Sequence, residues 1–191
     1  AVISSAGAEL ALRLPLSASG TFPPLLRHLE AQKDALGVGA FGMAVAEAYL
    51  NARYGNDLVN HHTYAFVGDG CLQEGVGQEM ISLAGHLRLG KLVLLWDDNQ
   101  ITDDGSTALS ISEDVAQRFR VAGWHVVEVD GHDTEAVSAA LNAARTDPRP
   151  SMLACRTVIA KGIARLQGQR GVQHILAGGA PVHPARRIGI A

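Results

Sequence analysis

The sequence predicts an α/β fold, a mostly parallel sheet flanked by helices. Short apolar runs rich in β-branched residues alternate with helix-length segments from Leu36 onward, the order expected of successive strand–helix–strand units. Each predicted strand is separated from the next by one helix. Hydrophobic residues make up 47% of the 191 residues and charged residues 18%, enough to bury the core of one ordinary domain.

The elements follow in order. Gly39 to Tyr54, with Met43, Val45, Ala46, Ala48 and Leu50, predicts a buried or half-buried helix that stops near Gly55. Tyr64 to Val67 predicts a strand, Gln78 to Leu89 a helix ended by Gly90, and Leu92 to Trp96 a second strand. Glu113 to Ala122 is a helix with Gly123 just past its end, and Trp124 to Val129 is a third strand. Thr134 to Arg145 is a helix capped by Asp133 or Thr134, and Met152 to Val158 is the fourth strand. Before these, Pro24 to Gln32 predicts one helix after a turn region. From 159 on the chain has little periodicity, and 163–191 reads as loop and tail of a single domain, 1–191, whose beginning falls in mid-pattern.

Composition excludes several partners. A formal charge of −3 and a pI near 6.2, with scattered Arg and Lys, predict no nucleic-acid surface and no anionic-membrane surface. No stretch approaches the roughly 20 apolar residues that span a bilayer. The opening AVISSAGAELALRL has no basic region before it and is not read as a signal peptide. Cys71 and Cys155, each in or beside an apolar run, predict two reduced thiols and a cytoplasmic location.

Two short polar stretches carry the chemistry. GDGCLQEG, 68–75, follows the strand ending at Val67, and WDDNQITDDG, 96–105, follows the next one. In an open α/β sheet, ligands bind beyond the carboxyl ends of the strands. One crossover helix between neighbouring strands puts Asp69 and Asn99 at the same crevice. A carboxylate and an amide oxygen suit Mg or Ca, with phosphate, a backbone carbonyl and water completing the shell. Gly68 and Gly70 are expected to let the backbone turn sharply and approach phosphates. Asp69 is expected in a solvent-facing loop. A solitary GDG is ordinarily a turn in which Asp bonds nearby backbone N–H groups, and the second stretch is what shifts the weight toward a metal–diphosphate anchor.

HTYAFVGDGCLQEG, SLAGHLRLGKLVLLWDDNQITDDG, GWHVVEVDGHD and CRTVIAKG together resemble the thiamine-diphosphate-binding region of the transketolase family, over about residues 36 to 162. The resemblance implies a thiamine-diphosphate-binding fold and transfer of a two-carbon ketol unit between sugar phosphates. It implies metal ligation by the side chains of Asp69 and Asn99 and the backbone carbonyl of Ile101. It also implies diphosphate contact by Gly68 and Gly70, and for Glu74 a place at a subunit interface coupling two cofactor sites. In isolation Glu74 reads equally as a first-turn helix acid favoured by the helix dipole. LGVG at 36–39 is similar to the family's LGQG, a loop near the cofactor.

Several family histidines have no counterpart. Gly7, in VISSAGAEL, and Gly178, in GGAPV, stand where the family pattern has histidine, and a further histidine-bearing loop before Leu36 is missing. His174 is the candidate for the remaining catalytic histidine. His61, His62, His86, His125 and His132 read as surface or strand-edge residues, with His132 structural in a turn where Asp130 and Asp133 accept backbone N–H groups. The family's activating glutamate belongs to a second, pyrimidine-binding domain, so the resemblance implies a partner domain or subunit and a homo- or hetero-oligomer. Three readings follow: a subunit of a split transketolase-like enzyme, a degenerate member with an altered substrate, and a non-catalytic interaction subunit. A nicotinamide-binding motif at 37–42, GVGAFG, lacks a preceding strand and a following acid and is set aside.

Overall fold

The structure, a computed structural model, describes residues 2–4, 36–102 and 105–169. The predicted helix at Pro24 to Gln32, the candidate His174 and both glycines at histidine positions, Gly7 and Gly178, lie outside the described residues.

The elements run β1 (Val2–Ser4), α1 (Leu36–Tyr54), β2 (Thr63–Val67), α2 (Asp69–Gln73), α3 (Gly75–His86) and β3 (Leu92–Asp98), then a small hairpin of β4 (Ile101–Thr102) and β5 (Gly105–Ser106). They continue with α4 (Val115–Val121), β6 (His125–Asp130), α5 (Thr134–Thr146) and β7 (Ser151–Arg156). β1, β2, β3, β7 and β6 form one five-stranded sheet in that spatial order, and every pairing in it is parallel. The α/β prediction therefore holds. β1 was not anticipated, because three residues are too few to show a period.

Parallel strands buried on both faces read as continuous apolar runs. β3 does so from Leu92 to Trp96, and β7 from Met152 to Cys155. Alternate residues face opposite layers. Ala65, Val67, Leu92, Leu94, Trp96, Met152 and Ala154 join Ala40 and Ala44 of α1, Met80, Ile81 and Ala84 of α3, and Phe119 of α4. Val93, Leu95, Leu153 and Cys155 pack instead on Ala140 and Ala144 of α5. Each fully buried Leu or Met contributes about 1.5–3 kcal/mol. Trp124 locks the first layer, stacking edge-on against Phe119 at 5.0 Å and donating its indole N–H to the Ile81 carbonyl at 2.8 Å.

Element ends differ from expectation for identifiable reasons. α3 starts at Gly75, three residues early, and its exit turn uses Arg88 at φ 51° rather than Gly90. Gly90 is needed for closeness: a Cβ there would lie 2.6 Å from the Pro148 carbonyl oxygen. β7 ends at Arg156, two residues early, because the Thr157 N–H bonds the Asp98 carbonyl (3.1 Å) and the Val158 N–H bonds His132 Nε2 (2.9 Å). Asp133, not Thr134, caps α5, accepting from the N–H groups of Glu135 and Ala136 at 3.0 Å.

Candidate functional site

β2 and β3 pair side by side with Val67 opposite Trp96, so the chain leaves both strands at the same edge. A cleft of about 350 Å³ opens there, lined among others by Asp69, Trp96, Asp98, Gln100, Glu128 and Arg156. It lies beyond the carboxyl ends of β2, β3, β6 and β7, the position at which doubly wound sheets bind ligands.

Asp69 departs from its expected setting. It does not lie in a solvent-facing loop but opens the short helix α2, with 5% of its surface exposed. The reason is local. Leu72 must enter the core, and a single helical turn from 69 to 73 puts it there, drawing Asp69 in with it. The turn is held from behind: the Leu72 carbonyl accepts from Arg118 Nη2 at 3.3 Å and from the Gln78 amide, while Arg118 Nη1 reaches Gln78 Oε1 at 2.8 Å and Glu113 Oε1 at 2.6 Å.

Asp69 Oδ1 accepts the indole N–H of Trp96 at 3.2 Å. Its other oxygen, Oδ2, is buried without a hydrogen-bond partner among the described residues. Burial, reinforced by the negative Asp98 nearby, pushes the carboxyl up to about 6, while the Trp96 hydrogen bond pulls the other way. Asp98 is also raised, by burial first, although Arg156 grips it with two contacts at 3.2 Å.

The remaining acids around the cleft have partners. Glu113 pairs with Arg118, Glu128 with Arg120 and Asp98 with Arg156, while Asp114 caps α4 through the Gln117 N–H at 2.8 Å. Asp69 alone among the lining acids has a buried oxygen left over. A dication satisfies such an oxygen and cancels the raised pKa, whereas a diphosphate alone would meet only repulsion from these carboxylates.

Asn99 sits between Asp98 and Gln100 in the turn after β3. Its Oδ1 accepts the Ile101 N–H at 2.9 Å and its Nδ2 donates to Asp97 Oδ2 at 3.1 Å. The turn role expected of a lone acid thus falls on Asn99 rather than on Asp69, and one lone pair of Oδ1 remains for a ligand. Gln100, at φ 62°, forces the chain back into the β4–β5 hairpin that carries Ile101. Thr102 of that hairpin reaches α2: a Cβ on Gly70 would lie 3.6 Å from Thr102 Oγ1. The tips following the two strands therefore meet.

The backbone reason given for the two glycines is not borne out. Gly68 has φ −99°, ψ 178°, ordinary extended geometry, and neither Gly68 nor Gly70 has positive φ. A Cβ on Gly68 would meet nothing within 4 Å, so the space beside it is open. Glu74 is exposed at the junction of α2 and α3, where it is the residue before α3 without capping it by its side chain.

Sequence reasoning missed Trp96 and Arg156. Trp96 reads as the last core residue of an apolar run, and nothing in its spacing shows that its N–H faces Asp69. Arg156 lies 58 residues from Asp98, and only the β3–β7 pairing joins them. Among the described residues no group of three or more His, Cys, Asp or Glu is placed to hold a metal, so any ion here rests on mixed oxygen donors.

The chain matches a family model described as transketolase, thiamine diphosphate binding domain, over residues 29–187. A second model, of an ACT-like domain, matches residues 1–47, most of which lie outside the described residues. A transketolase of Cereibacter sphaeroides is 51% identical over 165 residues, covering 84% of this chain and 25% of that protein. One of Sinorhizobium medicae is 54% identical over 143 residues, covering 73% and 21%. The crystal structure of a Campylobacter jejuni transketolase superposes with a TM-score of 0.65 at 38% identity, over 72% of this chain and 21% of that one. The chain thus spans about a quarter or less of the length of these relatives.

Proposed function

Because this chain belongs to the transketolase family, as a thiamine diphosphate binding domain, we propose that it is the cofactor-binding half of a transketolase-like transferase, moving a two-carbon ketol unit between sugar phosphates. The observation that carries this reading is the buried Asp69 Oδ2, without a hydrogen-bond partner among the described residues, beyond the carboxyl end of β2. A magnesium ion, or calcium in its place, would be held by Asp69, by Asn99 Oδ1 and by the Ile101 carbonyl. Gly68 and Gly70 leave room for the diphosphate. When bound, thiamine diphosphate supplies the thiazolium carbon that carries the transferred unit.

The chain's own residues then have separable tasks. Asp69 would supply the charge, and Trp96 fixes its Oδ1, leaving Oδ2 as the oxygen that would serve an ion. Arg118 and Gln78 keep α2 in place through the Leu72 carbonyl. Arg156 compensates Asp98, so that the cleft is not so acidic that Asp69 stays protonated at neutral pH. Glu74, exposed before α3, is available to a neighbouring subunit, and His174 is the residue we assign to proton transfer. A second domain or subunit supplies the pyrimidine-binding half, and the assembly is an oligomer. Two thiols and no helix among the described residues long and apolar enough to cross a membrane accord with a cytoplasmic protein.

A second reading is a degenerate, altered-substrate or non-catalytic interaction subunit, favoured by Gly7 and Gly178 at positions where the family pattern has histidine. Calorimetric titration with thiamine diphosphate and magnesium, with and without the pyrimidine-binding partner, separates the two. Saturable heat that is lost on omitting magnesium supports cofactor binding. No heat at millimolar concentration with the partner present leaves the interaction subunit. Ketol transfer by the complex then distinguishes the active enzyme from an altered one.

A further inference from the structure

We propose a second binding site, for a phosphate-bearing dianion, in the cleft at the amino-terminal end of the sheet. This cleft is about 460 Å³, larger than the one at Asp69, and is built from segments that precede β2, β3 and β7. Among its lining residues are Glu47 of α1, His62, Arg88, Lys91, Arg145 and Asp147. It lies at the opposite end of the strands from Asp69 and is independent of the cofactor reading.

Charge accounting defines the ligand. Lys91 Nζ lies 2.6 Å from Glu47 Oε1, and Glu47 is buried with 3% exposed, so these two charges cancel. Asp147 is engaged by Arg149 through contacts at 2.8 and 2.9 Å. Arg88 and Arg145 remain, and among the described residues neither has an acidic side chain within ion-pairing distance. His62 lies in the same cleft: its pKa is lowered first by burial, against a backbone hydrogen bond with Arg145 that raises it, and then by the positive fields of Arg145 and Lys91, with the negative Glu47 opposing them. Two uncompensated guanidinium groups match two negative charges, and their planar forks suit phosphate oxygens.

The backbone fixes where Arg88 leaves the end of α3, with the Leu89 N–H bonding the Ala84 carbonyl at 3.2 Å. Arg88 holds the left-handed conformation at φ 51°, which Gly or Asn would adopt more cheaply. The turn is braced: the Gly90 N–H bonds the Arg88 carbonyl at 2.8 Å, and Gly90 is pressed against the Pro148 carbonyl so closely that a Cβ would stand 2.6 Å away. The turn bearing Arg88 and the Pro148 turn that follows α5, whose last helical turn carries Arg145, are thus in close contact. The backbone at Arg88 is thereby fixed, while its side chain is exposed at the rim of the cleft.

The test is titration calorimetry of the full chain at low ionic strength, without magnesium, using inorganic phosphate and glycerol 3-phosphate as separate probes. Saturable binding is expected, weakened about fivefold in Arg88→Gln or Arg145→Gln and about twentyfold in the double variant, with the corresponding Lys variants closer to the parent. Urea midpoints of these variants should match the parent, since both side chains are exposed. Tighter binding of glycerol 3-phosphate identifies a phosphate monoester as the ligand, and equal binding identifies the free anion. Binding of thiamine diphosphate with magnesium should be unchanged in the double variant. No saturation with either probe, or equal affinity in the parent and the double variant, overturns the proposal. So does phosphate binding that survives the double substitution but is lost in Asp69→Asn, which would place it in the other cleft.

Discussion

Replacing Asp69 by Asn should make the ligand-free protein more stable at neutral and alkaline pH, and the pH profile of that gain tests the site directly. The carboxyl is raised from 3.8 to about 6, so the folded state favours its protonated form. Its contribution to stability is complete below about pH 4 and is lost as pH rises through about 6, because a buried carboxylate must then form. The rise corresponds to about 3 kcal/mol, an upper value for the loss by about pH 8. Asparagine keeps the size and can still accept the Trp96 indole N–H through its amide oxygen, yet never ionises. Urea unfolding midpoints for both proteins between about pH 4 and pH 8 isolate this one group in their difference. Asn should be close to neutral at the acid end and stabilising by up to about 3 kcal/mol at the alkaline end. Magnesium should reverse the order, stabilising the parent at alkaline pH, losing that effect below about pH 6 as Asp69 protonates, and leaving the variant unmoved. A flat difference, or an Asn variant less stable at alkaline pH without metal, would refute the assignment of burial as the dominant cost at Asp69. The Ala variant is less informative, since it also strands the Trp96 N–H.

Three further outcomes are expected. Trp96→Phe removes the hydrogen bond that lowers the Asp69 pKa, so the pH midpoint of magnesium-dependent stabilisation should move up; an unchanged or lower midpoint contradicts the role of the indole. Gly85→Ala should destabilise by about 3 kcal/mol or more, or prevent folding, because its Cβ would stand 1.8 Å from the Ala122 carbonyl oxygen; a near-normal thermal midpoint would show that α3 and the Ala122 turn are not in contact. The Cys155 thiol, pushed up to about 11 by burial, should resist iodoacetamide at about pH 8 in the folded protein and react once unfolded in urea; rapid labelling of the native thiol, located by peptide mass, would contradict its burial.

Residue pattern alone determined the parallel α/β class. Continuous apolar runs such as Leu92 to Trp96 can be strands only where both faces are covered, and the helices between them supply that cover. Local punctuation was equally legible: Gly55 and Gly123 take positive φ where helices were expected to stop, and Asp133 caps α5 with the short side chain that caps require. These features depend on residues within a few positions of one another. Tertiary structure decided the state of Asp69, whose burial and raised pKa follow from Leu72 turning inward, from the indole of Trp96 27 residues away, and from Asp98 across the cleft. It also decided which charges cancel, joining Asp98 to Arg156 and Glu47 to Lys91 across separations of 58 and 44 residues. Electrostatic cost depends on solvent exclusion and on neighbours in space, and a sequence supplies neither until the sheet order brings them together.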